Sequence, residues 1–273
     1  LRRWFSKHLR VEGENMQWNL VHSILRNSLL EKLNAEAFKS IHNSIASHLQ
    51  MLPADDDLRI SETMYHFKEA GNAVKALDYY ISDLSDEEVD GATIALAEAI
   101  STTDKGMDWI LALINTASQN IVKIWKLATL FIINLNDALS VEGNLDERRV
   151  IFERLKTKLE ESNINFDSNS YHGNIFRTLL EKIGEIYQLS GEYNNALDCY
   201  IITNKLASKL YTKNPENEYL KNGLAVSYSK LGEIHLLTNK PQESLTFFNS
   251  RIKLGIELYN NNPNNENIKN GLA

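Results

Sequence analysis

The sequence predicts an all-α protein, built as a solenoid of stacked helical hairpins with one small β-hairpin near its N-terminus. The 273 residues include only four prolines, and the apolar residues recur with the helical period of about 3.6 rather than in alternation. The second half also repeats itself: NPENEYLKNGLA at 214–225 returns as NPNNENIKNGLA at 262–273, 48 positions later. A fixed period of this length is typical of solenoids, in which each repeat buries the apolar side of its neighbour.

The repeat extends backwards over two helices and a turn. KIGEIYQLSGEYNNALDCY (182–200) aligns with KLGEIHLLTNKPQESLTFF (230–248). The alignment pairs Gly184 with Gly232, Ala196 with Ser244, and Tyr200 with Phe248. Because a glycine inside a helix costs about 1 kcal/mol relative to alanine, its recurrence calls for a packing reason. We predict that each glycine lies where the two helices of a hairpin cross, with the small residue twelve positions later opposite it.

Each copy is predicted to form a first and a second helix. In the first helix of the later copy, one face carries Leu220, Leu224, Tyr228, Leu231 and His235. Pro241 suits the first position of the second helix. In that second helix we predict that the inward side chains are Leu245, Phe248, Ile252, Ile256 and Tyr259.

The two copies resemble the tetratricopeptide repeat over about 170–273. IGEIY and LGEIH correspond to the family's Leu-Gly-x-x-Tyr signature, which is followed by a small residue and then by an aromatic residue. The period of 48 exceeds the usual value of about 34, which resembles the bacterial variant with longer helices. GNAVKALDYY at 71–80 matches 191–200 at Gly, Ala, Leu, Asp and Tyr, so we interpret it as a third, degenerate copy.

The resemblance implies a ligand-binding surface, because the first helices of tetratricopeptide arrays line the concave side. Asparagine recurs there every 48 residues, near two tyrosines. The candidate groove residues are therefore Tyr171, Asn174, Tyr219, Asn222 and Asn270. We expect them to hydrogen-bond the backbone of a protein or peptide ligand. The alternative is that Asn222 and Asn270 stabilise the junction between helix and turn.

The first 33 residues differ in pattern from the rest of the chain. HLRVEGENMQWNLVHSILRNSLLEKL (8–33) indicates two short strands around a Glu-Gly-Glu-Asn turn and then a helix from about Ser23, which is how a winged-helix domain ends. LVHSILRNSLLEKL resembles the segment that closes the winged helix in STAND-class signalling ATPases, although Ser23 stands where that family has Asp. The resemblance implies that His22 contacts the phosphates of bound ADP in a longer parent protein.

This resemblance also implies three regions: the end of a winged-helix domain at 1–24, a helical linker with degenerate hairpins at 25–165, and tetratricopeptide repeats at 166–273. Nothing in the sequence matches G-x-x-x-x-G-K-[ST], the loop that cradles phosphates. We therefore expect that this chain is not an enzyme and holds no cofactor or metal, whereas the parent would bind ATP or ADP with Mg²⁺. Because the array stops without a capping repeat, residues from about 262 are expected to be poorly ordered or packed on a neighbouring molecule.

Composition argues against several classes of function. A net charge of −7 argues against a nucleic-acid partner. The single cysteine, Cys199, excludes an internal disulfide framework and fits the cytoplasm. The longest apolar run, 121–135, contains two lysines and is too short to span a bilayer, so we predict a buried helix and no membrane partner.

Three other clusters are better explained by structure than by chemistry. His42 and His48 lie six positions apart, and together with His66 they lack the i, i+4 spacing that aims two imidazoles at one metal ion. Cys199 sits in an apolar helix face and is expected to be an inert core thiol rather than a nucleophile. The run SDEEVD at 85–90 is typical of a helix N-terminus rather than of an acidic ligand.

The function expected from these patterns is that of the sensor region of a multidomain STAND ATPase. A protein ligand bound in the array would shift the parent from a closed ADP form to an open form that oligomerises, as in bacterial architectures implicated in antiviral defence. One alternative is a tetratricopeptide adaptor or scaffold without an ATPase module. Another is a catalytic α-solenoid, which would need convergent polar residues in a cavity.

Overall fold

The computed structural model describes residues 9–12, 17–20, 34–102, 106–141, 144–162, 164–166 and 170–261. These residues are almost all helical, as predicted. Near the N-terminus, strands β1 (Leu9–Glu12) and β2 (Gln17–Leu20) pair antiparallel, with Leu9 opposite Leu20. Their membership of a winged helix stays a prediction. The expectation for residues from about 262 lies outside the described residues.

Among the described residues, the first half consists of five helices, and the first four of them begin with side-chain caps. They are α1 (Ala35–Leu49), α2 (Asp57–Glu69), α3 (Ala73–Tyr80), α4 (Asp86–Thr102) and α5 (Gly106–Ala117). Asn34, Asp56 and Asn72 accept hydrogen bonds from backbone N–H groups at the starts of α1, α2 and α3. At α4 the N–H of Glu88 donates to Ser85 Oγ over 3.3 Å, and the N–H of Ser85 donates to Glu88 Oε2 over 3.1 Å. This reciprocal capping box confirms that SDEEVD begins a helix.

The apolar run forms one long central helix. It comprises α6 (Ile121–Leu130), a π-helical turn (Phe131–Leu135) and α7 (Asn136–Val141). Trp125, Phe131 and Leu135 on it are buried, which confirms the predicted buried helix. The prediction that it is too short to span a bilayer was wrong, because the helix continues to Val141. At 21 residues it is, by length and composition, the one helix of the described residues that could cross a membrane, yet half of the segment is buried inside the protein.

The second half is a series of longer helices that pack in chain order. They are α8 (Leu145–Glu161), α9 (Ser170–Leu189), α10 (Tyr193–Lys213), α11 (Glu218–Leu237) and α12 (Pro241–Asn261). Each packs against the next, and α9 also reaches α11. The buried residues of the first half and of α6 to α9 form one continuous core, and Tyr200 and Leu231 anchor a smaller one farther along.

Three hairpins share the same turn. Gly71, Gly191 and Asn239 all have positive φ, at 64°, 76° and 59°. In each turn the following N–H donates to the carbonyl five residues back: Asn72 to Phe67, Glu192 to Tyr187, and Lys240 to His235. This is the Schellman motif, which needs glycine or asparagine at the left-handed position. The three turns coincide with the aligned copies, including the degenerate one at 71–80.

One prediction about α12 was wrong. Leu245, Ile252 and Ile256 were expected to face inward, but they are 55%, 43% and 49% exposed. The side chains of α12 that are buried are Ser244 and Leu258. Another member of the predicted stripe, Phe248, does face inward, because its ring packs against Gly232 of α11.

Candidate functional site

The repeated glycines lie where the two helices of a hairpin touch. A Cβ added to Gly184 would lie 2.5 Å from Cε1 of Tyr200, and one added to Gly232 would lie 2.6 Å from Cε1 of Phe248. Real Cβ atoms do not come this close to carbon, so each position accepts only glycine unless the ring moves. The glycine of the first helix thus forms the seat for the aromatic ring of the second.

The small residue of each copy is also buried. Atoms of the aromatic ring, not of Ala196 or Ser244, are the nearest neighbours of each glycine. Ala196 is fully buried, and Ser244 donates from its hydroxyl to the carbonyl of Gly232 over 2.8 Å. In the degenerate copy Met64 stands at the glycine position, and the corresponding ring, that of Tyr80, lies beside Phe131 instead.

A groove opens where the π-helical turn faces the starts of α9 and α11. Its cavity has a volume of about 380 Å³. Its lining consists of Thr129, Ile132, Ile133, Tyr171, Asn174, Ile175, Thr178, Asn217, Tyr219 and Leu220. We call it the tyrosine groove. It brings together Tyr171, Asn174 and Tyr219 from the predicted set, whereas Asn222 is exposed outside it and Asn270 lies outside the described residues.

Within this groove Asn174 connects two successive repeats. Its Nδ2 donates to the hydroxyl of Tyr219 over 2.9 Å, and its Oδ1 accepts from Nε of Arg177 over 3.1 Å. Arg177 in turn pairs with Glu181 at 2.9 Å, with both side chains largely buried. The amide of Asn174 therefore joins two side chains of the protein, and its binding to a peptide backbone stays a prediction.

The tyrosine groove offers a ligand two aromatic rings over an apolar floor. Tyr171 and Tyr219 are 59% and 64% exposed, and Ile133 between the helices is 58% exposed. Thr129, Thr178 and Asn217 add neutral polar groups, of which Asn217 also caps α11 through the N–H of Leu220. The lining holds no carboxylate, imidazole, ammonium or guanidinium group. This combination suits an apolar or aromatic side chain next to a neutral hydrogen-bonding group, such as a peptide bond.

Sequence reasoning missed the wall of the groove that comes from the central helix. Ile132 and Ile133 lie about 40 positions before Tyr171 in the chain, in a run predicted only as buried. The π-helical turn at Phe131–Leu135 turns Ile132 to 6% exposure and Ile133 to 58%. An apolar run has no residue-level mark for such a turn, so only the packing reveals it.

Sequence reasoning also missed an ion pair that joins α2 to α4. Nε of Arg59 lies 2.7 Å from Oε1 of Glu88, whose side chain is 2% exposed. Arg59 also donates to the carbonyl of Leu52 over 2.6 Å. The signal that could have pointed to Glu88 is its position in the capping box, because the carboxylate of such a residue turns back over the helix start.

The histidines form a pair rather than a metal site. Nδ1 of His42 lies 2.8 Å from Nδ1 of His66, so one imidazole donates and the other accepts. Burial lowers the pKa of His42, and burial together with the neighbouring His42 lowers the pKa of His66 to about 4. His48 is exposed and apart from them, and the described residues contain no group of three His, Cys, Asp or Glu placed to hold a metal.

Of the two remaining candidates, Cys199 lies in the described part of the chain and His22 does not. Burial and the nearby Glu153 raise the pKa of Cys199 to about 11, so the thiol is protonated at neutral pH. This agrees with an inert thiol, since the thiolate is the nucleophile. His22 lies outside the described residues.

Comparison with known proteins adds no relative. No protein-family model matches the sequence, and no curated protein matches it.

Proposed function

We propose that this chain is the ligand-recognition region of a STAND-type ATPase, and that it binds a protein through a solenoid of long-helix tetratricopeptide repeats. A solenoid is supported because the same hairpin recurs after 48 residues. In each copy a glycine of the first helix contacts an aromatic ring of the second, and a Schellman turn joins the two helices. Consecutive helices from α8 to α12 pack in chain order, as repeats in a linear array do.

The observation that carries the recognition role is the position of two equivalent tyrosines. Tyr171 and Tyr219 occupy the same position in successive repeats, and both line one groove with exposed rings. Exposed aromatic rings are common binding anchors, because they bury a large area with little loss of side-chain entropy. The bond from Asn174 to Tyr219 fixes one ring in advance of binding.

The parent's part in the proposal rests on resemblance alone. The winged-helix remnant at 1–24 would place an ATPase module upstream, with His22 near the phosphates of ADP. Ligand binding in the array would favour the open form of the parent, which oligomerises, in antiviral defence within the bacterial cytoplasm. ATP, ADP and Mg²⁺ belong to that parent and not to this chain.

The recognition role is tested with the Tyr171→Ala/Tyr219→Ala double variant. The chain and the variant are immobilised, proteins are captured from the source cells with and without phage infection, and each captured protein is purified and titrated against both. We expect a partner whose affinity falls at least about tenfold in the double variant, because two aromatic anchors are lost. Tyr193→Ala removes an exposed tyrosine outside the groove and serves as the control. Equal affinity for wild type and double variant would refute the role of the groove.

The parent is tested by sequencing the gene upstream of Leu1. A phosphate-binding loop followed by a winged helix is the expected result. An upstream region without such a loop would leave the adaptor or scaffold function, which uses the same groove, and would end the ATPase proposal.

A further inference from the structure

A second groove, distinct from the tyrosine groove, runs between α2 and α4. Its cavity has a volume of about 820 Å³. Its lining consists of Ile60, Ser61, Glu62, Tyr65, Glu87, Asp90, Gly91, Ile94, Ala95 and Glu98. The α4 residues recur at steps of three and four, so they form one face of that helix. From Glu87 to Glu98 this face rises about 16 Å, which matches about three turns of another helix laid alongside.

The floor of this groove is shallow and apolar because α2 and α4 touch there. A Cβ added to Gly91 would lie 2.4 Å from the carbonyl oxygen of Ile60 and 2.9 Å from its Cγ2. The two backbones are therefore in contact, and the larger side chains stand on either side of the contact. Ile94 is 56% exposed and Tyr65 is 41% exposed, which leaves apolar surface open along the valley.

The rims of the groove are acidic. Glu62, Glu87, Asp90 and Glu98 line it, and none of the lining residues is Lys or Arg. Two cations of α2 bind carboxylates outside the lining: Arg59 pairs with Glu88 at 2.7 Å, and Lys68 pairs with Glu69 at 3.1 Å. Nζ of Lys68 also lies 5.1 Å from the centre of the Tyr65 ring. Burial, and then repulsion from Glu98, raise the pKa of Glu62. A positive group placed between these carboxylates would relieve that repulsion.

We propose that the groove between α2 and α4 binds a basic, amphipathic helix of a partner protein. Apolar side chains of the helix would cover Ile94 and Tyr65, while Lys or Arg side chains on its flanks would meet the acidic rims. A helix laid in a groove and held by apolar anchors is a common recognition mode, and the charges select and orient the partner. The tyrosine groove has no charged lining, so the two surfaces select ligands of different chemistry.

The test uses the full chain and a fluorescein-labelled synthetic peptide in which leucine recurs at helical spacing and lysine fills the other positions. Fluorescence anisotropy is expected to give a Kd of about 1–100 μM. Added salt should weaken the binding and so raise the Kd, because it screens the charges. The Glu87→Gln/Asp90→Asn variant and the Ile94→Ser variant are each expected to raise the Kd at least about fivefold. Glu160→Gln/Glu243→Gln removes two exposed carboxylates elsewhere and should leave the Kd unchanged. Far-UV circular dichroism checks that each variant folds. If one groove variant fails to fold, the other still tests the proposal.

Four results of the peptide experiment would overturn the proposal. These are no binding of the peptide, equal binding by the groove variants, equal binding of a scrambled peptide whose leucines no longer share one face, and equal binding by the Glu160→Gln/Glu243→Gln control and the Glu87→Gln/Asp90→Asn variant. If a second copy of the chain occupies the groove, analytical ultracentrifugation would show a dimer that Ile94→Asp dissociates. That result would also overturn the proposal of a basic helix as the occupant.

Discussion

At the scale of single residues, the contact between glycine and ring explains why the repeat carries glycine inside a helix. Gly184 and Gly232 each contact an aromatic ring of the next helix. At Gly184 the loss of helix propensity, about 1 kcal/mol, is offset by burial of a whole aromatic side chain. Tyr200 is fully buried in this way.

Replacing Gly232 by alanine should therefore destabilise the protein, even though alanine favours helix. A Cβ there would lie 2.6 Å from the ring of Phe248, and overpacking of this kind costs about 1–3 kcal/mol. Urea unfolding followed by circular dichroism measures the change. Gly223→Ala in the same helix is the matched control, because its Cβ would lie 3.4 Å from the guanidinium of Arg177, an ordinary contact. A Gly232→Ala protein as stable as Gly223→Ala would contradict the close packing.

A second prediction concerns the pair of His42 and His66, which is neutral in the folded protein at neutral pH. Both pKa values are lowered in the folded state, that of His66 to about 4. Below about pH 6.5 the unfolded chain binds protons that the folded chain does not, so stability falls as the pH falls. Protonation would also remove the acceptor of the hydrogen bond between the two rings. Two carboxylates, Glu62 and Glu69, lie near the pair. The pKa of His66 is still lowered overall, so the expected loss of stability at low pH stands.

The free energy of unfolding is expected to drop by about 1–3 kcal/mol between pH 7 and about pH 4, since each pKa unit corresponds to about 1.4 kcal/mol. Urea unfolding at a series of pH values measures it. The His42→Leu/His66→Leu variant should lose most of this dependence, whereas His48→Gln, an exposed histidine of the same helix, should keep it. A pH dependence that is the same in all three proteins would rule the pair out as its source.

At the scale of helices, α12 shows how far periodicity leads. Its apolar residues predict a helix with one apolar face, and a helix forms there. The predicted face is only partly right: Phe248 packs against Gly232, but Leu245, Ile252 and Ile256 are exposed. The buried side chains of α12 are Ser244 and Leu258. In a stacked array each helix has two apolar sides, and periodicity does not say which one the described neighbour covers.

Truncations on the two sides of α12 should separate its faces. Leu258→Ala removes a side chain that is 2% exposed and should cost about 2–4 kcal/mol. Ile256→Ala removes one that is 49% exposed and should cost less than about 1 kcal/mol. Thermal unfolding of the two variants gives the comparison. Equal losses would mean that both faces are covered in solution.

At the scale of the whole molecule, the protein presents two surfaces of different character. The tyrosine groove is neutral and lies between the central helix and the first helices of two repeats. The groove between α2 and α4 is acidic and lies in the first half. Both are formed by elements that pack side by side, so both belong to the stacking of the helices rather than to loops.

The sequence by itself determined the helices, the helix start at SDEEVD and the repeat, because propensity, capping and periodicity act over a few residues. It also paired Tyr171 with Tyr219 at equivalent positions of the repeat, and both line the tyrosine groove, whereas Asn222, the equivalent of Asn174, lies outside it. Only the tertiary structure decided that the π-helical turn forms the opposite wall, that the amide of Asn174 is engaged by Tyr219 and Arg177, and that Arg59 meets Glu88. These contacts join side chains far apart in the chain, and their energies depend on packing and burial that no local pattern encodes.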